Sequence, residues 1–399
     1  MRPVKLVIPG EWWDSLIYAG HLFLFGRDGT VRVIEWNRLI DFWDVPPDLR
    51  IAMHCAFARG DSLYGGRWRP VVNDPDVRHI LREKFDRLSR RNLVLEAQQL
   101  ERHTVDRQDI GFSFPHSDIA AYARSLWVAS PEGLEVSHWN DDVKRLGLDA
   151  RRIWDCPLLS LSPNYGTIAM AAGDEGLHEL RIDSATRVPR RTVDANCTGC
   201  DWLYYSVYAS SHDEPSHLAS YQRYTEGRDD ETRRLIYRRE PVGVVDEAQI
   251  FGGPGVNGGY SWGSADKICK VTRAGIAVTR YMPGHPDRES QFEQLGTVPG
   301  SRKAQVVISG GVALFGIVVE LDDALWVLGS DDKTSKIAGV PVNWRIFQRS
   351  NWYLNQLHVI HDAHAEILSF NHDYFVDQAA KLAGIRYRER GDPVPRGRR

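Results

Sequence analysis

One pattern constrains this chain more than any other. An apolar run, an acidic residue followed by Gly, and an alternating apolar–polar run recur along it. The first copy is His21-LFLFGRDGTVRVIEW-36, with Asp28-Gly29 between the runs. The second is Leu126-WVASPEGLEVSHW-139, with Glu132-Gly133, and the third is Thr167-IAMAAGDEGLHELRI-182, with Glu175-Gly176. Asp-Gly between alternating runs is a strong short-range hairpin signal, because Gly accepts the positive φ that tight hairpin turns require. Looser copies follow at Trp202–Tyr221, Gly259–Tyr281, Val312–Gly329 and Ala365–Gln378; in the last, Asn371-His372-Asp373 is the expected turn.

These copies number seven, and six to eight units fit the spacing. Later copies start about 40 to 60 residues apart, the range of propeller blades. An early gap of about 100 residues leaves room for a further blade near 51–66 and for an insertion. A small sheet of this kind cannot bury both faces alone, and packing such sheets side by side in a closed ring protects faces and edges. The expectation is an all-β fold, a seven-bladed β-propeller over residues 1–385, with a flexible Arg-rich tail at 386–399.

The insertion carries a clear helix signal at about 74–92. Asp74-Pro75 supplies an N-cap and a first-turn proline. Val77, Ile80, Leu81, Phe85 and Leu88 recur at helical spacing, and Arg78, Arg82, Arg87, Arg90 and Arg91 fill the rest of the surface. That basic surface is a candidate partner contact; a solvated helix face is the plainer account. Trp12 and Trp13 are candidate contact residues for their large amphipathic area, against the simpler role of Trp in a β core.

Composition excludes several classes. Hydrophobic residues make up 42% of the 399, enough for a sizeable core, and no apolar run is long enough for a membrane helix. The N-terminus shows no secretory pattern. A net charge of −3 argues against a dedicated nucleic-acid binder. Five Cys at irregular spacing fit reduced thiols in a cytoplasm better than a disulfide framework. Cys197-x-x-Cys200 offers thiolates at metal-binding spacing, but no second such pair follows. His358, His361 and His364, with Asp362 and His372-Asp373, are metal-ligand types, although alternation along a strand would point them apart. The Gly252–Gly259 stretch lacks the Lys-Ser/Thr of a phosphate loop and reads as a loop between blades. No nucleophile motif is present. No cofactor and no catalytic residue is expected.

The acidic-Gly hairpins resemble blades of WD40-type β-propellers, although the Gly-His of that type is missing at the blade starts and the Trp-Asp dipeptides, Trp13-Asp14 and Trp43-Asp44, are out of register. The resemblance implies a non-catalytic scaffold or recognition subunit that binds protein partners through its loops. Two alternatives remain: a metal-dependent hydrolase or lyase with a site in the central channel, and a nucleic-acid-associated module using the Arg-rich helix and tail.

Overall fold

Alternating strands with one apolar face pair into sheets, and here they form seven. A computed structural model describes residues 2–64, 68–140, 145–147, 150–183, 188–212, 214–228, 235–253, 259–284, 291–299, 307–329 and 333–375.

Blade 1 comprises Trp12–Tyr18, His21–Gly26, Thr30–Ile34 and Thr104–Asp109. Blade 2 comprises Asp118–Tyr122, Ser125–Ser130 and Gly133–Asn140, with Arg145–Leu146 and Arg151–Trp154 both on its outer edge. Blade 3 runs through Ser160–Asn164, Thr167–Ala171, Leu177–Arg181 and Arg190–Val193. Blade 4 contains Gly199–Leu203, Ser206–Ser210, and the longer pair His217–Arg228 and Leu235–Asp246. Blade 5 has Ser261–Ser264, Lys267–Thr272, Gly275–Tyr281 and Phe292–Pro299. Blade 6 has Val307–Ala313, Gly316–Leu321, Ala324–Gly329 and Thr334–Ala338. Blade 7 joins Asn343–Ile346, Gln356–Ile360 and His364–Ser369 to the first strand of the chain, Val4–Pro9, whose Leu6 and Val7 also pair in parallel with Leu93–Val94.

The chain is therefore an all-β, seven-bladed propeller with a helical insertion, as the repeats predict. The first three hairpins sit where the acidic-Gly turns place them. Asp28 Oδ1 accepts from Thr30 N at 3.1 Å and from Thr30 Oγ1 at 2.7 Å, fixing the turn from a side chain. At Gly176, φ is +83° and an added Cβ would lie 2.2 Å from the Val193 carbonyl, so neither backbone nor space admits another residue.

Apolar clusters fill the junctions between blades. Trp127, Leu134, Leu161, Ile168 and Met170 join blades 2 and 3, and Phe315, Val318, Leu357 and Leu368 join blades 6 and 7. Fully burying a side chain of this kind stabilises by roughly 1.5–3 kcal/mol, so each junction outweighs the surface ion pairs around it.

Two sequence expectations need correction. Among the described residues of the 51–66 region, 51–64, there is no blade strand. Arg50–Phe57 is a helix whose Ala52, Met53, Ala56 and Phe57 are buried, and Gly60–Leu63 is a short 3-10 turn. Its apolar run has helical spacing, and its register was ambiguous because the run is short. The insertion thus extends from the Trp36–Asp41 helix to the Ala97–His103 helix, between the third and fourth strands of blade 1. The expected helix occupies Pro75–Ser89, with Asp74 Oδ1 accepting from the Asp76 and Val77 amides. Second, the last hairpin turns at 361–363, where the His361 amide donates to the His364 carbonyl at 2.8 Å. Asn371 instead precedes a short helix, His372–Phe375.

Candidate recognition site

The inner strand of each blade lines a central channel of about 980 Å³. Six of the seven inner strands leave the channel through a two-residue turn to the next strand of their blade. The closing pairs are Tyr18–His21, Tyr122–Ser125, Asn164–Thr167, Leu203–Ser206, Ser264–Lys267 and Ala313–Gly316. Five of these turns hold non-Gly residues at positive φ: Ala19, Ala123 with Arg124, Tyr165, Tyr204 and Ala265. Positive φ matches the strand twist, at a steric cost for any residue with a Cβ.

Blade 7 departs from this pattern. Residues 347–355 form a loop that crosses this end of the channel. Gln348 accepts from Ser264 Oγ of blade 5. Arg349 Nη2 donates to Asp201 Oδ1 of blade 4 at 2.8 Å and to Ser162 Oγ of blade 3 at 2.6 Å. Beyond it, Asn355 and Gln356 donate to the Cys55, Ala56 and Phe57 carbonyls, and the Gly60 amide donates to the Trp352 carbonyl at 2.8 Å. The helical insertion is therefore fastened to this loop.

Within the channel wall, Arg345 is the central charge. Its Nη2 donates to Asp14 Oδ2 at 2.7 Å, and its Nη1 donates to Asp118 Oδ1 at 3.2 Å and to the Ile119 carbonyl at 2.7 Å. Burial would raise the Asp14 carboxyl, but Arg345 and His116 outweigh it and hold it at about 2. Behind this pair, burial together with Arg345 pushes the His358 imidazole down to about 3, so it is neutral. His358 Nδ1 lies 2.9 Å from Ser15 Oγ and Nε2 lies 3.2 Å from Gln356 Oε1; Ser15 donating to Nδ1 and Nε2–H donating to Gln356 satisfies both. Asp14, Asp118 and Asp201 all accept from guanidinium groups.

The rim at the turn-bearing end is aromatic and basic around blades 3 and 4. Tyr165 and Tyr204 are 48% and 43% exposed although both sit on strained turns. The Tyr165 ring centroid is 5.3 Å from that of Tyr205 and 5.6 Å from that of Trp202. Arg223 lies over Tyr205 at 4.9 Å, and Arg239 lies over Trp202 at 4.4 Å and over Tyr221 at 4.1 Å. Arg239 also pairs with Glu179 and donates to the Tyr205 carbonyl at 2.8 Å. These cation–π stacks place the arginines against the rings.

The residues singled out from sequence fall elsewhere. Trp12 is buried and donates from Nε1 to the Ile8 carbonyl, so it is a packing residue rather than a contact residue. Trp13 is half-buried against Phe114 and His116, and its Nε1 donates to the His116 carbonyl. Arg78 is stacked on Tyr374 and donates to its carbonyl, tying the helix to the end of blade 7. Arg87 pairs with Asp48 and Arg90 with Asp86, while Arg82 and Arg91 are exposed. Cys197 is buried and its thiol is pushed up to about 12 by burial; burial raises Cys200 well above its ordinary value, so neither is a ready thiolate. Of the histidines, His358 faces the interior, whereas His361 and His364 converge on Glu366, contrary to the expectation from strand alternation. The reason is that His361 belongs to the turn and not to the strand. The side chains of His372 and Asp373 and the tail at 386–399 lie outside the described residues, as does part of the Gly-rich stretch. Sequence reasoning missed the rim tyrosines. Their signal was present in the Tyr-Gly at 165–166 and the Tyr-Tyr at 204–205, each between two apolar runs.

No family model and no curated protein matches this chain. Similar solved structures include the β-propeller domain of Cps50 (Swd1) from Myceliophteria thermophila, with 12% identity and a TM-score of 0.47 over 91% of this chain and 97% of that one. The computationally designed Ika8 protein matches at 8% identity and a TM-score of 0.44, over 93% of this chain and 100% of that one. The WD40 β-propeller domain of Doa1 matches at 10% identity and a TM-score of 0.34, over 66% and 94% respectively.

Proposed function

We propose that this protein is a non-catalytic recognition platform that docks protein partners at the aromatic–basic rim around blades 3 and 4. The observation that carries the proposal is the exposure of Tyr165 and Tyr204 on strained turns of a rigid frame. Both rings stand at the channel rim beside arginines stacked on neighbouring aromatics. Tyr, Trp and Arg dominate binding hot spots, and rigid rings lose little entropy when they dock. The exposed Arg82 on the inserted helix and Arg91 just past its end supply a second contact element in the same role. All five cysteines are free thiols, which supports a reducing compartment such as the cytoplasm. Among the described residues, no helix is long and apolar enough to cross a membrane.

The test is affinity capture from the native host, with wild type and a Tyr165→Ala/Tyr204→Ala variant as baits. Partners that copurify with wild type are expected to be lost from the variant. An identical set of partners on both baits would remove the rim as the docking surface, and loss only with Arg82→Ala/Arg91→Ala would move it to the helix.

A further inference from the structure

We infer that the turn of blade 7 opposite the plugged end is a binding site for a divalent transition-metal ion of the zinc class. His361, His364 and Glu366 each present a ligand atom there, and these atoms lie within 4.8 Å of one another. His361 Nε2 is 3.8 Å from Glu366 Oε2, and His364 Nε2 is 3.5 Å from Glu366 Oε1. Ligands about 2.0–2.2 Å from a tetrahedral zinc ion stand roughly 3.3–3.6 Å apart, so small side-chain movements close the set.

The local fold explains why the three converge. His364 and Glu366 are two apart on one strand and share a face. The 361–363 turn folds His361 back over them, and the two imidazole rings stack with centroids 4.7 Å apart and planes at 22°. His361 Nε2 is buried without a hydrogen bond. Glu366 Oε2 at 3.8 Å is the carboxylate that faces it, close enough for one ion to bridge the two. Two imidazoles and one carboxylate, with the remaining positions toward solvent, is a donor set for zinc, cobalt(II), nickel(II) or iron(II) and not for calcium or magnesium.

Lys5 is the built-in competitor. Its Nζ donates to Glu366 Oε1 at 2.9 Å, and its side chain is about half exposed. An arriving cation must displace this ammonium, which can swing into water on its flexible stem. Metal and Lys5 are thus alternative counter-ions of Glu366.

The experiment uses the full chain without any histidine tag, titrated calorimetrically with zinc chloride and, in parallel, with cobalt(II) chloride read by its visible absorption. One ion per chain is expected. His364→Ala and Glu366→Gln should each weaken binding by more than the roughly 10–100-fold that changes behind a ligand cost. Lys5→Gln should tighten it. Circular dichroism of each variant separates ligand loss from unfolding. Absence of binding, binding that survives both His361→Ala and His364→Ala, or unchanged affinity in Lys5→Gln would overturn the assignment. None of these outcomes bears on docking at the Tyr165–Tyr204 rim.

Discussion

Blades 1, 2 and 4 bring carboxylates to their inner strands, at Asp14, Asp118 and Asp201, and two arginines from blade 7 and its loop pair with them. Blades 5 and 6 bring Gly263, Ser264, Gly310 and Gly311 to the channel, and their close approach is made by bare backbone. A Cβ at Gly310 would lie 2.5 Å from the Trp262 ring, and one at Gly311 would lie 2.7 Å from Ile346 Cδ1. At the channel, Asp14, Asp118 and Asp201 are held by ion pairs, whereas Gly310 and Gly311 are held by space that must stay empty. The two sides should therefore fail differently.

The largest expected effect tests the charged side with acid. His358 is neutral at about 3 in the fold, against 6.5 for its ordinary value. Because the folded value is depressed, the unfolded chain takes up the proton first. This contribution is intact above pH 6.5 and is lost progressively as pH falls toward 3, by up to about 5 kcal/mol. Urea unfolding across that range should show a steeper loss for wild type than for His358→Gln; parallel curves would reject the assignment.

Arg345→Ala comes next. It leaves the buried Asp14 without its counter-ion, and a loss of about 3–5 kcal/mol is expected at neutral pH in urea unfolding. A loss under 1 kcal/mol would show that the charged side is held by packing instead.

On the small-residue side, Gly310→Ala should cost about 1–3 kcal/mol by overpacking against Trp262, with no change in pH dependence. A pH-dependent loss there would break the distinction between the two sides. The smallest effect belongs to the rim. Tyr165→Ala should change stability by no more than about 0.5 kcal/mol, because the exposed ring is not a core residue. A larger change in its melting curve would reassign Tyr165 from display to packing.

These contrasts also mark what was legible in the sequence. The hairpins at Asp28-Gly29, Glu132-Gly133 and Glu175-Gly176 were legible because their turns are fixed by residues one or two apart, as the Asp28–Thr30 bonds show. The Pro75–Ser89 helix was legible for the same reason, through its Asp74 cap. The last hairpin was misplaced because Asn371-His372-Asp373 has stronger turn composition than Asp362-Ala363, and composition carries no register. The channel's charge pairs could not be read at all: Arg345 meets Asp14 across 331 residues and Asp118 across 227. The rim tyrosines were written plainly in the chain, but exposure is a property of the closed ring and not of any segment.

Blade 7 is completed by the strand Val4–Pro9, whose Lys5 meets Glu366 from 361 residues away. On a ribosome adding roughly 5–20 residues per second, that first strand waits on the order of tens of seconds for its mate. During this delay its unpaired amides form a sticky edge, and any strand made earlier is a wrong partner within reach. Until the strand bearing Glu366 is made, Val4–Pro9 has only the two-residue partner Leu93–Val94 beside it.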